Sequence, residues 1–444
     1  MNCNCALCRN NLPFDMPEEI ISAIIKEKLV IFAGAGISTE NRNVQENTFF
    51  ETICFELKIN PETTDFSFPE LMTQYEEKNG RKKIIGKIFE KLIYVHSFSE
   101  IYWIATKFHL ELSTLYQVKN IFTTNWDTFF EDKCAAIPFV TSEDFALWDL
   151  PERKVFKIHG SVSNVGSIVA TEEDYKNNNE KIKDELIGNH LKVSLATQTF
   201  VFCGYSFQDY DFLNLLEILK EELREFSPKL YLITISKKID KEKLKKYNII
   251  PIYTDATFFI HSLKNELIKK NLLLPDDNLE TVMMAKDYLN ENHNKLFSDN
   301  LSLKYPSSLY SLAYQDGLKH SFERMIQRFN TGEYSNPEYL DKFIKNYKIL
   351  SSRYYDDDHY WNAAYIEGYI NGLIFIKSQE KDKIGDIPLY YLYKKPLNID
   401  YNEFLEILEM KTYHHEKSSR FAEKIVKIGV SGKDGVNLHH SLTL

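Results

Sequence analysis

The chain has 444 residues, of which 43% are hydrophobic and 14% aromatic, and this composition excludes an intrinsically disordered protein. Its 54 basic and 64 acidic side chains give a formal net charge of −10, which disfavours direct nucleic-acid binding by neutralisation of phosphates. No run of about eighteen apolar residues predicts a membrane span, and the first residues lack the features of a signal peptide, so we expect a cytoplasmic protein without a membrane partner.

An α/β region extends over residues 19–273, after an N-terminal extension of residues 1–18. Short apolar runs alternate there with longer amphipathic stretches, which is the pattern of β-α-β units with a parallel sheet. The runs predict strands at 29–33, 120–124, 155–157, 199–204, 230–235 and 249–253. Helical spacing predicts helices at 49–57, 81–93, 99–117, 211–226 and 258–269.

The pattern changes after a short linker, and residues 278–427 show helical spacing alone. Helices are predicted there at 280–297, 308–328, 336–352, 361–377, 401–411 and 416–427. Residues 428–444 contain three glycines and are predicted to form a flexible tail. The expected fold is a Rossmann-like, doubly wound parallel sheet followed by an all-helical C-terminal domain that regulates the first domain or mediates oligomerisation.

Two glycines, Gly34 and Gly36, follow the first predicted strand in a chain that has only 16 glycines. A strand that ends in G-x-G lets the backbone approach a pyrophosphate, whose charge is met by free N–H groups and a helix N-terminus. The residue at the third glycine position of the dinucleotide fingerprint is Thr39, so this fingerprint is incomplete. The pair also fits a tight strand-to-helix turn.

Small polar residues follow the second predicted strand, in the segment Thr123–Asp127. Hydrogen-bonding side chains at this place face the carboxyl edge of the sheet, where ligands bind in open α/β folds. Asn125 or Asp127 fits equally well as the cap of a helix that starts near Thr128.

Two further strands end in polar or glycine residues. His159 and Gly160 follow the third, and Gly204 and Ser206 follow the fourth. A single histidine is more often structural than catalytic, but at an edge shared with other polar strand ends it is placed to act as a base near neutral pH. The alternative for Gly204 is a left-handed turn before a helix cap.

These four strand ends, in this order, resemble the sirtuin family. The matching segments are GAGIS at 34–38, TTNWD at 123–127, HG at 159–160 and GYSFQD at 204–209. The resemblance implies a Rossmann-like NAD-binding domain in which Asn125 and His159 are catalytic. The cofactor-binding residues that it implies are Ala33, Gly34, Ala35, Gly36, Ser38, Thr124, Asp127, Gly204 and Ser206.

This sequence differs from protein-deacylating sirtuins in two features, which indicate the branch of the family that it resembles. Protein-deacylating sirtuins continue the glycine turn into a GIPDFR-like segment, whereas Thr39–Val44 follows here. They also bind a structural zinc on two CxxC pairs beyond the histidine, whereas Cys203 is the only cysteine after position 159, so no such zinc is expected. The chain thus resembles bacterial sirtuin-like NAD hydrolases of antiphage defence, for which NAD is the substrate. An NAD-dependent deacylase and a catalytically silent NAD or ADP-ribose binding subunit are the alternatives.

The many aromatic residues beyond position 278 predict more apolar surface than one small domain can bury. We therefore expect a homo-oligomer, or docking to a HerA-type hexameric ATPase or another defence protein. Cys3, Cys5 and Cys8 have the spacing of metal-binding thiolates, but no fourth ligand is close in sequence, so we expect free thiols there, with a metal site as the alternative.

Overall fold

A computed structural model of the chain describes residues 10–205, 213, 216, 217, 223, 229–236, 240–298, 301–378, 381–431 and 438–440. The chain divides into two units, Met1–Lys269 and Lys270–Leu444. Within the described residues, no helix is both long enough and apolar enough to cross a membrane.

The first unit is built on a sheet of seven parallel strands. They are β1 (Leu29–Ala33), β2 (Asn120–Thr123), β3 (Ile137–Phe139), β4 (Lys154–Lys157), β5 (Thr199–Cys203), β6 (Leu230–Thr234) and β7 (Ile249–Tyr253). Their order is β3-β4-β2-β1-β5-β6-β7, so the chain builds outward from β1 to one side and then to the other. This doubly wound topology confirms the predicted Rossmann-like fold and places the switch point beside β1.

Helices surround this sheet. They are α1 (Glu18–Ile25), α2 (Phe49–Leu57), α3 (Phe68–Asn79), α4 (Arg81–Ser97), α5 (Ser99–Ser113), α6 (Phe129–Cys134), α7 (Glu172–Asp184), α8 (Leu186–Thr197), α9 (Lys241–Lys246) and α10 (Ala256–Lys269). The predicted helix 49–57 is observed with the same limits. The predicted helix 211–226 lies largely outside the described residues.

One strand and several helices of this unit were missing from the prediction. Strand β3 contains Pro138, which lacks a backbone N–H and is tolerated because β3 is an edge strand of the sheet. The unpredicted helices are α1, α3, α7, α8 and α9, whereas α6 is the helix that the capping alternative places near Thr128. In α7 the only buried side chain is that of Asn178, so this helix has no apolar stripe that a periodicity search can detect.

The buried guanidinium of Arg153, just before β4, is hydrogen-bonded to the backbone at the ends of several neighbouring elements. It donates to the carbonyl oxygens of Leu115 at 2.7 Å, Val118 at 2.8 Å, and Ser113 and Cys134 at 3.3 Å each. These carbonyls lie at the ends of α5 and α6 and in the approach to β2. One cation thus satisfies four carbonyl groups where the chain enters two neighbouring strands.

The second unit is helical, as predicted. Its helices are α11 (Asn278–Ser298), α12 (Leu301–Lys304), α13 (Leu309–Arg328), α14 (Pro337–Asp356), α15 (Tyr360–Ser378), α16 (Tyr401–Glu409) and α17 (Glu416–Ser431). It also contains a short antiparallel hairpin, β8 (Tyr390–Leu392) and β9 (Lys395–Leu397), which the sequence analysis did not predict.

Helices α13 and α15 pack with their backbones in close contact at two glycines. A Cβ at Gly317 would lie 2.0 Å from the carbonyl oxygen of Tyr365, and one at Gly368 would lie 1.9 Å from that of Tyr314. Neither position can accept a larger side chain unless the helices separate. These two helices form the centre of the second unit's core.

Candidate functional site

The four motifs lie at the carboxyl ends of four adjacent strands, β4, β2, β1 and β5. The parallel register places Cys203, Ala33, Thr123 and Lys157 in one row across these strands. Each motif begins within two positions of this row, so the loops that carry the motifs leave the sheet at the same level. The fold therefore brings the predicted site together at the switch point, where ligands bind in such sheets.

The loops after β1 and β5 pack directly against each other through glycines. A Cβ at Gly34 would lie 2.5 Å from the carbonyl oxygen of Gly204, and one at Gly36 would lie 2.9 Å from the same atom. Gly204 has φ +61°, and a Cβ there would lie 2.4 Å from the backbone nitrogen of Ile37. All three glycines are thus required by the contact between the two loops, which the sequence analysis had attributed to ligand approach or to a tight turn.

Most backbone amides of this turn already donate within the protein. Gly34 N donates to Cys203 O at 2.9 Å and Gly36 N donates to Gly204 O at 3.1 Å. Ile37 N and Ser38 N donate to carbonyl oxygens of the turn itself. The expectation of a row of free N–H groups is therefore wrong for these four residues. Only the fifth amide of the 34–38 segment, that of Ala35, remains as a candidate donor to a phosphate.

Three buried polar side chains form a connected group beside this turn. Ser38 Oγ donates to Asp127 Oδ2 at 3.3 Å, and Asn125 Nδ2 donates to Ser38 Oγ at 3.3 Å. Asn125 Oδ1 is buried and accepts no hydrogen bond within the described part of the chain. A buried polar atom of this kind normally has a partner, so Asn125 presents an acceptor to a ligand or to water.

The backbone around Thr123 holds this group in place. Thr123 Oγ1 donates to Ala33 O at 2.9 Å and accepts from Asn125 N at 3.0 Å, while Thr124 N donates to Ala33 O at 3.2 Å. Asp127 Oδ1 accepts from the amide of Phe129, the first residue of α6, at 3.1 Å. Asp127 therefore bonds the first amide of α6, in agreement with the alternative that it caps this helix, and it also contacts Ser38.

The charge of Asp127 is set by its surroundings. Burial raises the pKa of its carboxyl group, and the ammonium group of Lys157 opposes this shift. The Lys157 side chain is fully buried, donates to the backbone oxygen of Asp127 and lies 3.1 Å from Glu131 Oε1. The sequence analysis gave Lys157 no role. Its place at the end of an apolar strand was the feature that could have indicated a buried, functional lysine.

His159 lies beyond the end of β4, beside the loop that carries Asn125. Each of these two residues stands two positions beyond the directly paired Thr123 and Lys157. The loops after β2 and β4 are joined by a hydrogen bond from Val162 N to Trp126 O at 2.9 Å. The His159 ring is 6% exposed and meets the ring of Tyr175 edge-on at 5.0 Å.

A cavity of about 590 Å³ is lined by Gly160, by the loop after β3 and by residues of α7. Among the described residues, its lining includes neither His159 nor Ser38 nor Asn125. The cavity is therefore lined by other residues than the glycine turn and the Ser38 group. Of the predicted site residues, Ser206 lies outside the described residues.

Part of the region that contains the four motifs resembles a known family. Residues 119–252 match a family model described as a SIR2-like domain. This segment includes β2 to β6 and most of β7, with Asn125, His159 and Gly204. This part of the chain is thus similar to SIR2-like domains. The glycine turn after β1 precedes the matched residues.

Three curated proteins resemble larger parts of the chain. NAD(+) hydrolase ThsA of Cytobacillus dafuensis is 21% identical over 68% of this chain and 65% of that protein. NAD(+) hydrolase ThsA of Enterococcus faecium is 28% identical over 57% of this chain and 51% of that protein. Defense-associated sirtuin 2 of Bacillus subtilis is 25% identical over 69% of this chain and 30% of that protein. The chain thus spans 65% or less of the length of these relatives.

A solved structure from work on the mechanism and regulation of Sir2 enzymes aligns with 57% of this chain and 99% of that chain. The sequence identity is 14% and the TM-score is 0.30.

The packing at Gly204 gives a test of the glycine turn. In Gly204→Ala the added Cβ meets the backbone of Ile37 while the residue stays in the left-handed region. We expect the first unit to lose more than about 2 kcal/mol of unfolding free energy, measured by chemical denaturation of the full chain. Gly166→Ala is the control, because its Cβ would come no closer than 3.7 Å to another residue. Equal unfolding midpoints for the two variants would contradict this account of the turn.

Proposed function

We propose that the first unit is an NAD hydrolase, which cleaves the bond between nicotinamide and ribose to give nicotinamide and ADP-ribose. The observation that carries this proposal is the buried Ser38–Asn125–Asp127 group at the switch point of the sheet, whose acceptor Asn125 Oδ1 has no partner among the described residues. The names of the ThsA relatives support the same activity.

In this proposal NAD lies along the carboxyl edge of β1, β2 and β5. The pyrophosphate is proposed to approach the backbone of the glycine turn on the side away from Gly204, because the other side packs against that residue. The amide of Ala35 and the hydroxyl groups of Thr124 and Ser206 are the proposed donors, since the hydroxyl groups of Ser38 and Thr123 already donate within the protein. The residues proposed to contact NAD are Ala33, Gly34, Ala35, Gly36, Ser38, Thr124, Asp127, Gly204 and Ser206.

The chemistry needs few groups. The nicotinamide ring of NAD is a cationic pyridinium, and it becomes a neutral molecule when its bond to the ribose breaks. The leaving group therefore needs no proton from a general acid. The site must stabilise a ribose with oxocarbenium character and direct a water molecule to it. Asn125 Oδ1 accepts from a ribose hydroxyl or from this water. The Asp127 carboxylate supplies negative potential near the developing cation, and His159 takes up the proton of the attacking water.

We further propose that NAD hydrolysis in the cytoplasm serves antiphage defence by depleting the cell of NAD. The resemblance to Defense-associated sirtuin 2 supports this role.

Assembly is proposed to control the activity, through self-association of the second unit or its docking to a HerA-type ATPase or another defence protein. Its helix α11 exposes Met283, Met284 and Tyr288, with 49%, 57% and 37% of their surfaces accessible. Such apolar side chains favour an interface.

The activity is tested with purified full-length protein and NAD, following nicotinamide and ADP-ribose by chromatography. We expect both products in equal amounts without any acylated peptide, because water is the proposed acceptor. The same assay with an acetyl-lysine peptide is the comparison. Strict dependence on the peptide would identify a deacylase, and NAD binding without turnover in an activated preparation would identify a silent subunit.

His159→Ala and Asn125→Ala should each lower turnover by about two orders of magnitude or more, the usual loss for a general base or an electrostatic positioning group. The matched control is His261→Ala, because the His261 side chain is 55% exposed and pairs with Glu111 on the surface. Thermal unfolding of each variant accompanies the assay. Normal turnover would refute the assigned roles, and a joint loss of activity and stability in His159→Ala would support only a structural role.

The assembly proposal is tested by light scattering of the full chain. We expect the parent to form an oligomer, and the double variant Met283→Glu/Met284→Glu to shift toward monomer because two charges enter the apolar surface. Met410→Glu is the control, since Met410 is 70% exposed at the end of α16. A monomeric parent that co-purifies with no partner would show that the second unit does not act through assembly.

A further inference from the structure

Three side chains of types that bind metal ions lie close together in the second unit. The proposed NAD chemistry uses none of them. His293 projects from α11, Asp316 from α13, and His439 comes from the described segment 438–440. His439 Nδ1 lies 3.1 Å from Asp316 Oδ1 and 3.3 Å from His293 Nε2, and His293 Nε2 lies 3.6 Å from Asp316 Oδ1. The side chains of His293 and Asp316 are each 6% exposed, while that of His439 is 42% exposed.

Gln315 fixes the orientation of the His293 ring. Gln315 Nε2 donates to the carbonyl oxygen of Leu389 at 2.7 Å, so its Oε1 is the end that faces His293. His293 Nδ1 lies 3.0 Å from this Oε1 and must therefore carry the proton. The lone pair of the neutral ring is then on Nε2, the atom that faces Asp316 and His439. In metal-binding histidines, the ring nitrogen that does not bind the metal commonly donates a hydrogen bond to a carbonyl oxygen, and this bond fixes the orientation of the ring.

Asp316 is oriented by the C-terminal segment. Its Oδ2 accepts from the backbone nitrogen of His440 at 2.8 Å, which leaves Oδ1 toward the two histidines. The His440 ring is stacked on Tyr365, with centroids 4.3 Å apart and an angle of 14° between the rings. Two of the three ligand side chains, those of His293 and Asp316, therefore have a separate contact outside the cluster that sets their direction.

The separations fit a zinc ion. Zinc with nitrogen and oxygen ligands at about 2.0–2.2 Å in a tetrahedron holds its ligand atoms roughly 3.3–3.6 Å apart. Two of the observed distances, 3.3 and 3.6 Å, lie within this range, and the third, 3.1 Å, lies just below it. Two imidazoles and one carboxylate favour zinc over magnesium or calcium, which prefer oxygen ligands alone. Three ligands leave a fourth position for water on the exposed side of His439.

We propose that His293, Asp316 and His439 bind one zinc ion, which joins the C-terminal segment to helices α11 and α13. This site differs in ligands and in place from the four-thiolate zinc module of deacylating sirtuins. It also rests on contacts independent of the proposed NAD hydrolysis. The other arrangement open to the same atoms is a metal-free hydrogen-bond network, in which His439 donates to Asp316.

The test uses the full-length chain with Cys3, Cys5 and Cys8 replaced by serine, so that thiolates at the N-terminus cannot bind the added metal. After treatment with a chelator, the protein is titrated with ZnCl2 and, for spectroscopy, with CoCl2. We expect one ion per chain by mass spectrometry, visible absorption bands of tetrahedral cobalt, and a rise in the unfolding temperature with zinc.

His439→Ala is the main variant, because its side chain is partly exposed and its loss leaves the core intact. We expect zinc affinity to fall by more than about tenfold and the zinc-dependent rise in unfolding temperature to disappear. Gln315→Ala should weaken binding by about 10–100-fold through the freed His293 ring. His320→Ala is the control, because its Nδ1 is bonded to the hydroxyl of Tyr365 and it lies outside the cluster.

Failure to bind zinc in stoichiometric amount would overturn the proposal in favour of the hydrogen-bond network. So would equal zinc affinity in the parent and in His439→Ala. A metal-free network predicts that His439→Ala lowers the unfolding temperature equally with and without zinc. These results are distinguishable from failure of the proposed function, because none of the measurements depends on NAD turnover.

Discussion

The parallel register of β4, β2, β1 and β5 is the constraint from which the site follows. Because Cys203, Ala33, Thr123 and Lys157 share one row, four loops from distant parts of the sequence leave the sheet at a common level. Ser38 and Asp127 are 89 positions apart in the chain and still share a hydrogen bond. No local motif could create this contact, whereas seven parallel strands in a doubly wound order require these loops to be neighbours.

The glycines show how the same constraint limits the loops. Since β1 and β5 are adjacent, the chains that leave them occupy the same small space, and a Cβ on either side would meet the opposing backbone. The scarcity of glycine elsewhere made Gly34 and Gly36 noticeable in the sequence, but their packing partner, Gly204, could be found only in the fold. The packing against Gly204 accounts for the glycines at positions 34 and 36, while the approach of a ligand to this turn stays a prediction.

Much of the fold could be predicted because its elements have strong periodic patterns. Strand β1 is found with its predicted limits, since an apolar run that is buried throughout is typical of a strand covered on both faces. Strand β7 is also found with its predicted limits, although it is only partly buried and contains Pro251. The pattern fails where burial is slight or the element is short, as with α7 and its single buried Asn178, or the three-residue strand β3. The order of strands, the buried Lys157 and the His293–Asp316–His439 cluster depend on tertiary contacts, which single-sequence periodicity does not contain.

The polar atoms left at the site carry the functional argument further than the motifs do. Folding satisfies Ser38, Thr123 and Asp127 through one another and through the backbone, and the charge of Lys157 is balanced by Glu131. Among the described residues Asn125 Oδ1 has no partner, and a buried acceptor without a partner costs about 1–3 kcal/mol relative to water. The amide nitrogen of Asn125 donates to Ser38, so the side chain cannot rotate to pair this oxygen elsewhere without breaking that bond. A group that is fixed in direction and has no partner in the described part of the chain is preorganised for a ligand, which is the condition that a binding or catalytic side chain must meet.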